Sequence, residues 1–367
     1  MNSFSHGYFL IINCISLKII MSGGMIMLQA IMTKPGEIKF QEIPVPEIEA
    51  GQVLVKIMRI GVCGSDIHVY HGKHPYTSYP VVQGHEVSGE ITKVGSAVSQ
   101  LKVGDKVTIQ PQVVCGKCYS CTHGSYHICD ELKVMGFQTT GTASEYFAVE
   151  AKKVLKLPAE ISFDMGAMVE PLAVAVHALS RGGDVKGKKV LVLGAGPIGN
   201  LVAQTAKGMG AESVMVTDLS DYRLRIAKSC GIDYCINTKT QSLEEAIAKK
   251  FGPFKADLIL ECIGIEVTMS QAISNARKGT DIIVVGVFGD KPKVDLGLIQ
   301  DREIRLIGTL MYQERDYIKA IELIENGKIK LEPLISNHFP FKDYLKAYEY
   351  IETQKDQVMK VIISIQD

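Results

Sequence analysis

The stretch Lys189-Val190-Leu191-Val192-Leu193-Gly194-Ala195-Gly196-Pro197-Ile198-Gly199 decides the fold. Residues 189–193 read as a buried strand, and the Gly-x-Gly-x-x-Gly that closes it opens a helical pattern at Pro197. In that context Gly194 permits a tight turn, Gly196 lets the backbone approach a pyrophosphate, and Gly199 lets the helix pack closely on the strand. Pro197 and Ile198 start the helix whose amino terminus faces the phosphates. Working outward, a second strand at 213–217 leads into Asp218, 19 residues past Gly199, where a carboxylate accepts hydrogen bonds from both ribose hydroxyls. This points to NAD, because a 2′-phosphate would meet Asp218 with like-charge repulsion that Arg223 offsets only in part. An ordinary solvated helix position is the alternative for Arg223.

The same grammar continues on the carboxy-terminal side. Strand-like runs at 234–237, 257–261, 281–287 and 304–310 alternate with amphipathic helices, which predicts a six-stranded parallel sheet covered by helices. From residue 27 to about 155 the text changes to short β-like runs (27–32, 52–60, 86–94, 106–109) punctuated by Gly and Pro. The tail reads as helix at 317–327 and 344–353 and strand at 360–365, returning to this first half. The fold class is therefore α/β, a doubly wound sheet beside a β-rich domain. Its boundaries are 25–178 with 312–367 for the β-rich part and 179–311 for the nucleotide part. Residues 1–24 hold an apolar run, 8–21, too short to span a bilayer and lacking a basic start and a cleavage site, so this leader is expected to lie outside the fold.

The 367 residues suit two domains, and 46% apolar against 22% charged residues is ordinary globular usage. Forty basic residues balance forty acidic ones, leaving no basic field for nucleic acid or an anionic membrane. The partners expected are a small molecule and further copies of the chain, in the cytoplasm. Of the nine cysteines, Cys115, Cys118, Cys121 and Cys129 have the spacing of a closed four-thiolate zinc site, which stabilises a loop and leaves no position open for chemistry. Disulfides and inert thiols are the competing readings. Cys14, Cys230, Cys235 and Cys262 fall in the leader or in apolar text, where a small buried thiol is the default.

A second set is scattered: Cys63 in Gly61-Val62-Cys63-Gly64-Ser65-Asp66-Ile67-His68, His85 and Glu86 after Gly84, and Glu170 before Pro171. Each alone is weak. Taken in this order with the four cysteines and the glycine fingerprint, they resemble the medium-chain zinc-dependent alcohol dehydrogenase family over about residues 27–367, and within it the sorbitol (L-iditol 2-) dehydrogenase-like branch of polyol dehydrogenases. Glu170-Pro171 stands where alcohol dehydrogenases proper commonly place a third cysteine. The resemblance implies a GroES-like domain carrying one catalytic and one structural zinc, a Rossmann domain binding NAD, and a dimer or tetramer.

It also implies Cys63 and His85 as catalytic zinc ligands, with Glu86 or Glu170 as the third and the choice open. Zinc as a Lewis acid would lower the pKa of a substrate hydroxyl whose carbon then gives hydride to the nicotinamide. Ser65 matches the family's proton-relay hydroxyl and His68 its exit to solvent, while Asp66 would orient His85. A helix cap and a plain surface histidine are the competing readings for Ser65 and His68. Met311, in Leu310-Met311-Tyr312, replaces an arginine that supports the polyol site in animal-type sorbitol dehydrogenases, so the substrate stays open among polyols, sugar acids, vicinal diols such as butanediol, and threonine. Arg315 is a candidate substitute for that guanidinium, and Tyr70 and His71 are candidates for the pocket or its rim. A non-catalytic nucleotide-binding regulator is the reading from a different class.

Overall fold

A computed structural model describes residues 24–366, so the leader expected at 1–24 falls, but for Gly24, outside the described residues. The six-stranded sheet is entirely parallel, in the spatial order Tyr234–Asn237, Ser213–Asp218, Lys189–Leu193, Leu258–Glu261, Asp281–Val284 and Arg305–Gly308. Chain order reverses between Lys189–Leu193 and Leu258–Glu261, the switch point beside which doubly wound sheets bind nucleotides. Val190, Leu191, Val192, Leu193, Leu258, Ile259 and Leu260 have no exposed surface, because helices cover both faces of the sheet. Burying each such side chain contributes about 1.5–3 kcal/mol.

Several elements differ from the sequence pattern at their ends: the strand expected over 304–310 is confined to Arg305–Gly308. The strand expected over 281–287 stops at Val284, because the Val285 and Gly286 amides turn to the Glu261 carbonyl at 2.8 and 2.9 Å. The helix expected from 317 begins at Glu314, since Gln313 and Asp316 form a capping box at its start.

The second sheet has seven strands, in the order Ile335–Pro340, Lys360–Ser364, Gln52–Val62, Glu86–Val94, Lys106–Ile109 and Val154–Lys156, with Tyr146–Glu150 also paired to Gln52–Val62. The strand near the carboxy terminus thus enters a sheet built from the first half of the chain. Its register sets Val361 opposite Val62, while Gly61 lies opposite Glu86. Lys360, Gly61 and Glu86 therefore converge where three strands begin or end. A hairpin, Ile26–Lys34 with Glu37–Pro44, forms its own two-stranded sheet and is tied to the rest by main-chain bonds of Ala30 to Ala143 and of Met32 to Val81. One apolar core joins the helix Val169–Arg181 to the parallel sheet and to Tyr312 and Tyr317 at the start of helix Glu314–Glu325.

A Cβ on Gly61 would lie 2.2 Å from Glu86 Oε2, whereas one on Gly51 would meet nothing within 4 Å. Gly61→Ala should therefore cost about 1–3 kcal/mol of stability, as overpacking does, and lower the midpoint of thermal unfolding, while Gly51→Ala changes stability by no more than about half a kcal/mol and leaves the midpoint close to that of wild type. Equal midpoints for the two variants would contradict this packing.

Candidate active site

Each fingerprint glycine meets a different constraint. Gly194 has φ of +103° and its amide donates to the Thr217 carbonyl at 2.8 Å. A Cβ on Gly199 would fall 1.9 Å from the Gly194 carbonyl oxygen, so helix Pro197–Gly208 can pack this closely only with glycine there. A Cβ on Gly196, the helix N-cap, would meet nothing nearer than Arg223 Nη1 at 3.8 Å. That open side is where the backbone can approach a pyrophosphate.

Asp218 ends its strand with Oδ2 accepting the Ala195 amide at 2.8 Å and Oδ1 accepting the Leu219 and Ser220 amides at 2.8 and 2.9 Å. Arg223 Nη1 stands 3.9 Å from Asp218 Oδ2. The glycine loop, the carboxylate and the guanidinium thus occupy one locus, as a dinucleotide site requires.

The ligand atoms of Cys115, Cys118, Cys121 and Cys129 lie within 4.8 Å of one another. Backbone amides point at the sulfurs: Cys115 and Glu131 donate to Cys129 Sγ, both at 3.3 Å, and Cys118 donates to Cys115 Sγ at 3.4 Å. The amide of Asp130 leads the effects that hold the Cys118 thiol below the ordinary range. Four converging sulfurs with amide donors fit a tetrahedral zinc. The eight described cysteines are all free thiols.

Cys63, His85 and Glu86 form a second group with ligand atoms within 4.8 Å of one another. Cys63 caps the short helix Gly64–Tyr70, and its amide donates to Asp66 Oδ2 at 2.9 Å. Ser65 therefore follows the cap rather than forming it. Asp66 Oδ1 stands 3.6 Å from His85 Nδ1, which is buried without a hydrogen-bond partner. Burial disfavours the charged His85 ring, but Asp66, Cys63 and Glu170 outweigh it and raise its pKa. The donor chemistry, one cysteine sulfur on a half-buried residue with a buried imidazole and a buried carboxylate, fits a catalytic zinc.

Glu86 is held from behind by Lys360, whose Nζ is 2.6 Å from both carboxylate oxygens and donates to the Val62 carbonyl at 3.1 Å. Lys360 is only 3% exposed. Sequence reasoning missed it, although a lysine inside the apolar run Met359-Lys360-Val361-Ile362-Ile363 is a signal, because a buried ammonium requires an acid partner.

Glu170, in the first turn of helix Val169–Arg181, lies outside the 4.8 Å group; its charge acts on His85, and it accepts a hydrogen bond from the Tyr312 hydroxyl. Burial leads the effects that push Glu170 up to about 7.

Ser65 is half-buried and His68 exposed on the same short helix. Tyr70 packs on Tyr348, and His71 pairs with Glu352 at 2.5 Å, so both face the helix Tyr344–Gln354. Arg315 is exposed, and its charge is felt by Tyr126 and His127. The Phe137 ring stacks on His74 at 4.7 Å and touches the His85 ring at 4.8 Å. Phe137 also walls a cavity of about 660 Å³ whose polar lining includes Ser78, Gln138, Thr139 and Thr140.

Comparison with known proteins agrees with this geometry. Residues 49–159 match the alcohol dehydrogenase GroES-like domain, and residues 197–326 match the zinc-binding dehydrogenase family. The chain is 32% identical to a sorbitol dehydrogenase of Bacillus subtilis over 91% of its own length and 96% of that protein's. It is 32% identical to an L-threonine 3-dehydrogenase of Pyrococcus horikoshii, covering 85% of this chain and 91% of that one. An Escherichia coli CFT073 alcohol dehydrogenase solved with NADH superposes with a TM-score of 0.87 at 32% identity, covering 93% of this chain and 100% of that chain. With a metal-spaced β-rich domain, a Rossmann sheet and relatives matched along nearly its whole length, the chain belongs to the medium-chain zinc-dependent alcohol dehydrogenase family, as an NAD-dependent enzyme of the sorbitol dehydrogenase-like kind.

Proposed function

We propose that the enzyme oxidises a secondary hydroxyl of a polyol or sugar-derived alcohol and passes the hydride to NAD. The observation that carries this reading is the convergence of the ligand atoms of Cys63, His85 and Glu86 within 4.8 Å of one another. In it Cys63, His85 and Glu86 hold the catalytic metal, and Cys115, Cys118, Cys121 and Cys129 hold the structural one. Zinc in the first set supplies the Lewis acidity that lowers the pKa of a bound hydroxyl, and NAD supplies the hydride acceptor.

The protein's own residues do the rest. Asp66 orients the His85 ring from its Nδ1 side. Lys360 neutralises Glu86 from behind, and Tyr312 fixes Glu170 at the border of the site. Ser65 relays the substrate hydroxyl proton, accepting it as its own hydroxyl proton passes onward, and His68, exposed three residues on, exchanges a proton with solvent. Gly194, Gly196 and Gly199, with Pro197 and Ile198, present the helix start to the pyrophosphate, while Asp218 and Arg223 meet the adenosine ribose. The domain division of this reading is 25–178 with 312–367 around 179–311.

The sorbitol dehydrogenase relatives support a polyol or sugar-derived substrate. Threonine would need partners for an ammonium and a carboxylate; the Pyrococcus relative keeps it as the second reading. A homodimer or homotetramer is supported by the edge strand Arg305–Gly308, whose Leu306 is exposed. A cytoplasmic location is supported by the eight free cysteines. Among the described residues no helix is long and apolar enough to cross a membrane.

A panel of sugar alcohols, sugar acids, diols and threonine should give chelator-sensitive NADH production with at least one polyol or sugar-derived alcohol, and Asp218→Ser should shift preference toward NADP. Activity with threonine alone would decide for the second reading, and no activity with any would refute both. Glu86→Gln should retain about one zinc per chain, as expected when one of three protein ligands is lost, while Glu170→Gln retains both zincs but turns over more slowly. The reverse pattern would make Glu170 the ligand.

A further inference from the structure

The four-cysteine lobe is more than a folded loop on the surface, because it grips three consecutive residues next to the catalytic group. The Tyr312 carbonyl accepts from Gln112 Nε2 at 2.7 Å, and Gln112 lies in the small ribbon, Gln112–Val113 with Lys133–Val134, that closes the base of the lobe. Gln313 Nε2 donates to the Gly124 carbonyl at 2.8 Å and to His127 Nδ1 at 2.9 Å. The Glu314 amide donates to the Tyr126 hydroxyl at 2.7 Å. Gly124, Tyr126 and His127 all lie between Cys121 and Cys129.

This grip reaches Glu170, at the border of the catalytic group, by two routes. Tyr312, with no exposed surface, donates its hydroxyl to Glu170. Asp316, which accepts the Gln313 amide at 2.8 Å, also pairs with His177 at 2.8 Å on the helix that carries Glu170. The His127 ring meets the His177 ring edge to face at 4.7 Å. Immediately before Tyr312, Met311 adopts φ of +52°, a left-handed conformation that a side-chain-bearing residue keeps only where its surroundings impose it.

We propose that the four-cysteine lobe is a positioning element for catalysis, with Gln313 the residue through which it sets the Tyr312–Glu170 pair beside the Cys63, His85 and Glu86 group. The proposal rests on the reading of Glu170 as a border residue of the catalytic metal site. Gln313 touches neither substrate nor metal; its side chain acts through Tyr312, whereas the Asp316–His177 route starts from its main-chain amide, which Gln313→Ala retains.

The test is a double-mutant cycle on the full-length protein, with zinc in both sites for kinetics and cobalt in the catalytic site for spectroscopy. Gln313→Ala should keep two metals per chain and a KM for NAD within about twofold of wild type, while kcat falls by about tenfold. Its cobalt absorption band should move in the direction that Tyr312→Phe moves it, and the double variant should match Tyr312→Phe alone. If Gln313→Ala does not fold, Gln112→Met, which frees Tyr312 from the ribbon side, is read in the same way. An unshifted cobalt band in Gln313→Ala, or a double variant whose losses add, would overturn the positioning role. An unshifted band in Tyr312→Phe would overturn the place given to Glu170 as well. Because the cobalt band needs no substrate, these outcomes stand apart from failure of the substrate panel.

Discussion

The arrangement of the catalytic half depends on one buried ion pair, Glu86 with Lys360. A carboxylate kept out of water beside a thiolate and an imidazole needs a counter-charge, and removing one partner of such a pair typically costs about 3–5 kcal/mol. Lys360 is supplied by a strand more than 270 positions away in sequence, paired against Gln52–Val62. The carboxy-terminal return of the chain is thus an electrostatic requirement of the site as well as a closure of the sheet. Gly61, opposite Glu86, is small for the same reason, since any side chain there would occupy the space that the carboxylate fills.

The two metal-spaced groups illustrate two ways to build a site. The four cysteines come from one loop of 15 residues, Cys115 to Cys129, whose own amides point at the sulfurs. The other group takes Cys63 from a helix cap and His85 and Glu86 from the start of a strand, with the charge of Glu170 reaching in from a helix that follows. The local group can form when one loop closes, whereas the dispersed one exists only once the sheet has its register. The contacts of Gln112, Tyr126 and His127 with residues 312–314 join the two through Tyr312.

This difference also decides what was legible in the sequence. The fingerprint and the alternation after it read directly, because a parallel sheet buried on both faces writes apolar strands at regular intervals; all six strands stand where that pattern puts them, within a few residues at their ends. The four cysteines read directly from their spacing. Cys63, His85, Glu86 and Glu170 became a set only through resemblance, since no local rule joins residues from separate elements. Lys360 and the Gln313–His127 contact were not read at all, because long-range register and packing determine them. Arg315, considered as a replacement for the arginine missing at Met311, instead lies on the exposed side of helix Glu314–Glu325, whose Tyr317, Ala320 and Ile321 face the core, and its charge is felt by Tyr126 and His127.

The central claim is that one chain holds two zincs of different kinds, one for chemistry and one for the lobe. Elemental analysis of the purified wild-type protein and of Cys63→Ser tests it most directly. The wild type should carry about two zincs per chain, as a closed four-cysteine site plus an open three-ligand site require, and the folded Cys63→Ser protein about one, with NAD reduction abolished. A wild-type protein carrying a single zinc that Cys63→Ser leaves in place would contradict it.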